Sequence, residues 1–271
     1  MPLAERVIYA SIVIIISVGV LLAQTSPEFL ENYYLAEDGI LEWLTVSILL
    51  FCAYLCFQRL YILKPVRSAH FLLSLIIIGL GFIFCAGEEL SWGQRIFSIE
   101  TPDWLKEKNQ QHEINIHNLM VGDVSINKVI FGKILSVSLA IYLFVLPFLC
   151  NRFSRLNNTV EGFGLPLPTR TQALAFLPAL ILPDLLISSG ESDELREICG
   201  CLMIVIMFCF PKNAHIYSLN WKNQSTSIYC SRRKWSKSCK SRIWSNSRSI
   251  KKGWNWRPIH GKRWRRTWIL Q

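Results

Sequence analysis

The chain is poor in charged residues and lacks the short motifs of the common enzyme classes. Only 18% of its 271 residues are Asp, Glu, Lys or Arg, whereas 51% are hydrophobic. It contains no HExxH, GxSxG, P-loop or GxGxxG pattern, so nothing here supports zinc-protease, serine-hydrolase or nucleotide-binding chemistry. A mean hydropathy of +0.30 is too apolar for an ordinary soluble domain of this length.

The chain has nine cysteines but no CxxC pair. Seven of the nine lie within or beside apolar runs, where a free thiol behaves as a small hydrophobic group. We therefore expect neither a disulfide framework nor a zinc site built from cysteine.

The apolar residues are concentrated in six runs, at residues 7–22, 40–57, 69–86, 129–150, 173–189 and 198–210. Five of the runs approach or exceed the roughly 17–25 residues that cross a hydrocarbon core. We expect an all-α, polytopic helical membrane protein with about six transmembrane helices. The first run could instead be a cleaved signal peptide, but it is long for one and lacks a clean small-x-small cleavage site.

The loops between the runs alternate in charge. The loop at 26–38 has four acids and no base, and the next loop has three bases and no acid. Residues 87–128 have seven acids against four bases, and the later loops at 151–172 and 188–197 are basic and acidic in turn. Because cytoplasmic loops carry an excess of Lys and Arg, both termini are predicted to be cytoplasmic and loop 87–128 to be external.

Residues 211–271 differ from the rest of the chain. They contain 16 Lys and Arg, no Asp or Glu, and seven of the ten tryptophans, whereas residues 1–210 have 13 basic and 19 acidic residues. We therefore divide the chain into a six-span membrane domain, 1–210, and a basic, Trp- and Ser-rich cytoplasmic tail, 211–271. The tail could bind anionic lipids or nucleic acid, or have no role.

A frameshift would also explain the tail, because the single Trp codon becomes a glycine codon after a one-base forward shift. The tail's charge therefore does not enter the functional argument, and nucleic acid is not an expected partner.

Two polar segments of loop 87–128, GEELSWGQR at 87–95 and HEINIHN at 112–118, combine carboxylate, amide and imidazole groups at a membrane boundary. Ionisable groups there are costly to desolvate and mark functional sites. The catalytic candidates are Glu88, Glu89, Glu113 and His117. The substrate-binding candidates are Trp92, Gln94, Arg95, Asn115, Asn118 and Asp38. The candidate metal ligands are Glu89, Glu113 and His117, a set that suits a divalent ion such as Zn²⁺, Mn²⁺ or Mg²⁺.

Residue spacing gives three local expectations. If the helix of the third run continues to Phe97, Glu88 and Arg95 share a stripe about 10 Å apart and could bracket an ionic ligand. Thr101 is placed to cap a short helix that has Pro102 at its first position. In an extended chain Glu113, Asn115 and His117 lie on one face, and Glu113 and His117 are adjacent in a helix as well.

Each of these groups also has a purely structural interpretation. The paired glutamates could be solvated carboxylates at a helix end, and Glu113 and His117 could form a surface hydrogen bond. Asp184 follows Pro183 inside the fifth run, where the broken backbone bonding could serve a cation, or simply a hydrated side chain.

Over about residues 35–125 the chain resembles an uncharacterised family of multi-pass bacterial membrane proteins. The resemblance rests on the run Glu37-Asp38-Gly39…Glu42-Trp43, on GEELSWGQRIF and Thr101-Pro102, and on Asn109…Glu113…Asn115-Ile116-His117-Asn118. That family carries GEE[IL]SWGQR followed by NxQxExNxHN. The resemblance implies a multi-pass protein of the bacterial plasma membrane and no particular activity.

Three functions fit these features. Our first hypothesis is a metal-assisted enzyme that acts on a lipid-linked or small ionic substrate at the external membrane interface. A cation- or proton-coupled transporter, with Asp184 in its path, is the alternative. A membrane assembly or scaffold protein is the third. The lack of a visible internal repeat favours the enzyme over the transporter; the oligomeric state stays open.

Overall fold

The computed structural model describes residues 1–36, 39–109, 112–116, 118–122, 124–126, 129, 133–187 and 192–219. This part of the chain is mostly helical. Residues Met1–Ala214 form one compact unit and His215–Gln271 a second, of which only residues 215–219 are described.

Helices are found at all six apolar runs. The long ones are α1 (Leu3–Thr25), α3 (Ile40–Leu63), α4 (Ala69–Glu89), the continuous stretch of α7 (Leu135–Ala140), a π-helical turn (Ile141–Val145) and α8 (Leu146–Arg152), then α10 (Arg170–Leu186) and α11 (Ser192–Cys209). The short ones are α2 (Pro27–Phe29), which leads into a π-helical turn (Leu30–Tyr34), α5 (Gln94–Phe97), α6 (Asp103–Lys106) and α9 (Ser154–Gly162). Short 3-10 turns lie at Ser91–Gly93 and Ala214–Tyr217, and the described strands β1 (Met120–Val121) and β2 (Val124–Ser125) pair antiparallel.

Four of these helical stretches are long and apolar enough to cross a membrane: α1, α3, α4 and Leu135–Arg152. This indicates a helical membrane protein. The helix α10 has only 17 residues, with Pro178 and Pro183 inside it. The helix α11 carries four charged residues in its first six. The predicted count of six spans therefore stays a prediction.

The core is built around α11, which packs against α1, α3 and α10. Its side chains Leu195, Ile198, Cys199, Met203 and Ile206 are completely buried. The helices α1, α3 and α4 instead leave large apolar side chains exposed on their outer faces, as lipid-facing helices do.

The two ends of the helix bundle have different chemistry. At one end, which we call the motif end, α4 ends and α3 and α11 begin. Next to it the π-helical turn holds Tyr34, whose hydroxyl donates to the carbonyl of Ile15 at 3.0 Å. Burial disfavours the charged phenolate and raises the pKa of Tyr34 to about 12.

At the opposite end, side chains satisfy the last carbonyl groups of α11, which lack partners within the helix. Arg59 of α3 donates to the carbonyl of Phe208 at 2.5 Å. Gln172 of α10 is fully buried and donates to the carbonyl of Phe210 at 2.9 Å and to the Glu5 carboxylate of α1 at 3.0 Å. Side chains of α1, α3 and α10 therefore meet the end of α11 at one place.

The contacts of the membrane domain continue past residue 210, where the change in composition placed the boundary. The backbone N–H of Lys212 donates to the carbonyl of Leu167 at 2.7 Å. The Asn213 side chain accepts from the N–H of Leu167 at 2.8 Å and donates to the carbonyl of Leu165 at 3.0 Å. Residues 212 and 213 therefore belong structurally to the first unit.

Two truncations should differ in stability for this reason. Ending the chain after Leu219 should leave the thermal unfolding temperature in detergent unchanged. Ending it after Phe210 removes these three hydrogen bonds, each worth about 1 kcal/mol, together with the exposed bond from Lys212 Nζ to Asn151 Oδ1 at 2.6 Å, and should lower that temperature clearly. Circular dichroism at increasing temperature measures both, and equal stability of the two truncated chains would contradict the assignment of residues 212 and 213 to the domain.

Candidate functional site

A left-handed turn follows the end of α4. Ser91, Trp92 and Gly93 all have positive φ, at 46°, 56° and 76°. For a residue with a Cβ this conformation costs about 1–2 kcal/mol, so other contacts must hold it. The expectation that the helix continues to Phe97 is therefore wrong, because α4 stops at Glu89 and α5 is a separate helix.

The Trp92 indole packs back onto α4. Its Nε1 donates to the Glu88 carboxylate at 2.7 Å, and its ring meets the Phe84 ring edge to face at 5.6 Å. A Cβ on Gly87 would lie 2.9 Å from the indole. Gly87 therefore leaves room for the indole ring, and Glu88 supplies the acceptor for the indole N–H.

Glu88 also joins the turn to the later polar segment. Its carboxylate is buried, with 3% of the residue exposed, and its second oxygen accepts from the N–H of Ile116 at 2.6 Å. A buried carboxylate is costly unless hydrogen bonds compensate it. Here the two donors come from residues four and 28 positions further along the chain.

Glu113 occupies the centre of a second set of contacts. One carboxylate oxygen accepts from Ser91 Oγ and from Asn115 Nδ2, the latter at 3.1 Å, and the other accepts from Arg95. Asn115 Nδ2 also lies 3.0 Å from Ser91 Oγ. Arg95 is thus bound to Glu113, and because α4 ends at Glu89, Glu88 and Arg95 do not share the expected stripe of one helix.

Amide side chains add further hydrogen bonds between the left-handed turn and the later polar segment. Gln94 accepts from the N–H of Ile114 at 2.6 Å and donates to Thr101 Oγ1 at 2.5 Å. Asn109 donates to the Asn115 side chain at 2.7 Å and accepts from the N–H of Glu113 at 3.2 Å. We call this set the motif network; its side chains are Glu88, Ser91, Trp92, Gln94, Arg95, Thr101, Asn109, Glu113 and Asn115.

The local expectations have mixed outcomes. Glu113 and Asn115 share one face, as the extended reading predicted, and both are buried against Ser91. The short helix α6 is confirmed, but Thr101 does not cap it, because its hydroxyl donates to the carbonyl of His112 at 2.7 Å.

Three further candidates add little to the site geometry. Asp38 and His117 lie outside the described residues, so the pairing of Glu113 with His117 stays a prediction. Asn118 is buried, with 6% of the residue exposed.

Glu89 faces other neighbours. Its carboxylate lies within electrostatic range of Glu42 on α3 and of Glu194 and Glu197 on α11. Glu42 is buried, Glu89 and Glu194 are partly buried, and Glu197 is exposed. We call these four residues the acidic cluster. It gathers carboxylates from three helices at the motif end, where α3 and α11 begin and α4 ends.

Glu89 differs from Glu88 and Glu113 in its bonding. Within the described part of the chain, no side chain or backbone group donates a hydrogen bond to the Glu89 carboxylate. Among the same residues, no group of three or more His, Cys, Asp or Glu side chains is arranged to hold a metal ion. The proposed metal set of Glu89, Glu113 and His117 therefore stays a prediction, with His117 undescribed.

Asp184 is already paired. It accepts from Ser192 and from Arg196, each at 2.9 Å, and Arg196 also contacts Asp193 at 2.5 Å. The helix α10 continues through both of its prolines. Asp184 therefore has a cationic partner, which weakens its predicted role in an ion path.

Sequence reasoning missed the partners of Glu89. Glu194 and Glu197 are three residues apart, so they share one face at the start of α11. Glu42 lies in the first turn of α3, and the alternating loop charges predict that all these positions lie on one side of the membrane. Together these signals could have identified the acidic cluster before its geometry was known.

Comparisons of the chain with protein-family models, curated proteins and solved structures found no match. The fold and the site define the class of protein, a helical membrane protein with a polar network and an acidic cluster at one end. Membership of the bacterial family that the motif resembles stays a prediction.

Proposed function

We propose that the chain is an integral membrane protein with about six spans, in which α10 and α11 cross beside the four apolar helices. Both termini are cytoplasmic, and the motif end faces the outside of a bacterial plasma membrane. The alternating loop charges support this arrangement, as does the complete burial of five apolar side chains of α11 among its neighbours. The charged residues of α11 lie in its first six, at the membrane boundary, and leave the rest apolar.

We propose further that the acidic cluster binds a cation and that cation- or proton-coupled transport is the function of the protein. The observation that carries the proposal is the Glu89 carboxylate, which has three carboxylates nearby and no hydrogen-bond donor among the described residues. Neighbouring carboxylates repel one another when ionised, so uptake of a proton by the acidic cluster is favoured. Ionisable groups at such positions typically line ion paths.

Transport is favoured over a metal-assisted enzyme, our first hypothesis, for a structural reason. Glu88 and Glu113, which an enzyme would use as acid, base or ligand, are occupied in the motif network. A metal-assisted enzyme acting on a lipid-linked substrate is the second candidate. It is favoured by the exposed Trp43, Trp92 and Trp104 near the motif end, because tryptophan is enriched at the level of lipid headgroups.

Proton flux in liposomes tests the first proposal. We expect the wild-type chain to dissipate an imposed pH gradient, reported by an enclosed dye, faster than protein-free liposomes do. Glu89→Gln removes the ionisable group and should abolish the difference. Glu100→Gln is the matched control, because Glu100 is exposed and has no part in the motif network or the acidic cluster.

Other outcomes would separate the remaining functions. The wild-type chain could instead turn over lipid in the presence of Mn²⁺ and show no proton flux. If Glu89→Gln then abolishes the turnover, the enzyme hypothesis would replace the transport hypothesis. If the wild-type chain shows neither proton flux nor lipid turnover, or if Glu89→Gln changes neither, the acidic cluster has no role in the function. That outcome would favour a scaffold role.

A further inference from the structure

The segment after the left-handed turn exposes more apolar surface than a water-facing loop normally does. We call residues 92–104 the interfacial segment. Its exposed large side chains are Trp92 (47%), Ile96 (56%), Phe97 (72%), Ile99 (49%) and Trp104 (65%). A contiguous set of this kind marks a surface that something covers.

Two polar side chains of the same segment, Gln94 and Thr101, are turned to another side, whereas Ser98, Glu100 and Asp103 are exposed between the apolar residues. Gln94 binds Ile114 and Thr101, and Thr101 binds the carbonyl of His112. The buried side chain Leu105 follows directly after the exposed Trp104. The segment is therefore amphipathic, with one side fixed to the motif network and the other uncovered within the described part of the chain.

The uncovered side continues the outer face of α4. Ile77, Leu80 and Phe84 are exposed on that helix at 61%, 54% and 40%. The Phe84 ring contacts the Trp92 ring at 5.6 Å, and a Cβ on Gly93 would lie 3.1 Å from the Phe97 ring. The apolar surface thus extends from a helix able to cross a membrane through Trp92 to Phe97 at the start of the interfacial segment.

We infer that the interfacial segment lies in the plane of the membrane leaflet at the motif end, with its apolar side chains in the lipid. Continuity with the lipid-facing surface of α4 names the occupant, because the bilayer that covers Ile77 and Phe84 extends to Trp92 and Phe97. The exposed Trp104, an aromatic residue with a polar tip, suits the boundary between headgroups and acyl chains, whereas the indole N–H of Trp92 is bound to Glu88. Lys106 and Lys108, exposed directly after the segment, are placed to meet lipid phosphates.

This arrangement has a consequence for the site. The motif network would hold an in-plane anchor against the end of α4 and keep the loop that follows at headgroup level. The inference needs a membrane but no particular role for Glu89, so it stands apart from the proposed transport.

Photo-crosslinking in nanodiscs of phosphatidylethanolamine and phosphatidylglycerol tests the inference. Benzoylphenylalanine is incorporated singly in place of Phe97, Ile99 or Trp104, and covalent phospholipid adducts are measured by mass spectrometry after illumination. We expect adduct yields at these positions that match the yield at Ile77 on α4 and exceed that at Glu107 at least several-fold. Glu107 is the matched control, because it is exposed in the same loop but polar.

The side chains that are replaced are exposed, and a size-exclusion profile confirms that each variant remains folded. Lipid adducts at Ile77 but only background yield at residues 97, 99 and 104 would overturn the inference while leaving the membrane-spanning role of α4 intact. Crosslinks to a second copy of the chain at these positions would overturn it in favour of a protein interface.

Discussion

Replacing Glu113 with leucine should free the polar loop from the end of α4. The substitution removes the acceptor for Ser91, Arg95 and Asn115 while keeping a side chain of similar size. Hydrogen bonds to a charged group contribute about 1.5–3 kcal/mol each, but Arg95 is 37% exposed, so we expect a loss near 3 kcal/mol in total. Trypsin cleavage at Lys106 and Lys108 in detergent should become much faster.

Glu107→Leu is the matched control, because Glu107 is an exposed glutamate in the same loop. It should leave both trypsin cleavage and thermal unfolding as in the wild type. If Glu113→Leu behaves like this control, the motif network does not hold the loop. Glu113→Gln keeps one acceptor and should have an intermediate effect.

Replacing Gln172 with leucine should destabilise the opposite end of the bundle. The change leaves the Glu5 carboxylate and the carbonyl of Phe210 without the amide donor that both share. Because Glu5 is only 5% exposed and Gln172 is fully buried, we expect a loss of about 3 kcal/mol in the free energy of unfolding. Thermal unfolding in detergent measures the change.

A second substitution separates loss of bonding from poor packing. Adding Glu5→Leu to Gln172→Leu should restore part of the stability, because no carboxylate then remains buried without a donor. Thr171→Leu, at the exposed neighbouring position, should have little effect. A double variant less stable than Gln172→Leu alone would show that packing, and not the buried carboxylate, dominates.

The helices at the six apolar runs could be predicted because hydrophobic composition reports on burial in lipid or in a core. Their ends could not. The helix α4 stops at Glu89 because Ser91 and Trp92 are held in a left-handed turn by the hydrogen bonds that they donate to Glu113 and Glu88. The helix α11 begins at Ser192, six residues before its apolar run. Because four of these six residues are charged, hydrophobic composition did not predict the start of the helix.

The two polar segments that form the motif network could be predicted from the sequence, but the contacts between their side chains could not. Sequence spacing predicts contacts between residues three or four positions apart, such as Glu88 and Trp92. The contacts of Arg95 and Ser91 with Glu113 span 18 and 22 positions and depend on how the loop folds back. For the same reason Glu88 and Glu89, adjacent in sequence, were grouped together although they face different partners.

We propose that Glu113 has a structural role, whereas Glu89 is kept among like-charged neighbours for function. Functional groups placed against their neighbours often reduce stability. The measurement that tests this claim most directly is the thermal unfolding temperature of Glu89→Gln in metal-free detergent solution. At alkaline pH, where the carboxylates of the acidic cluster are ionised, glutamine removes a like charge, so the temperature should rise above the wild-type value, whereas Glu113→Leu lowers it. A lower unfolding temperature for Glu89→Gln would show that Glu89 stabilises the fold and would contradict the account.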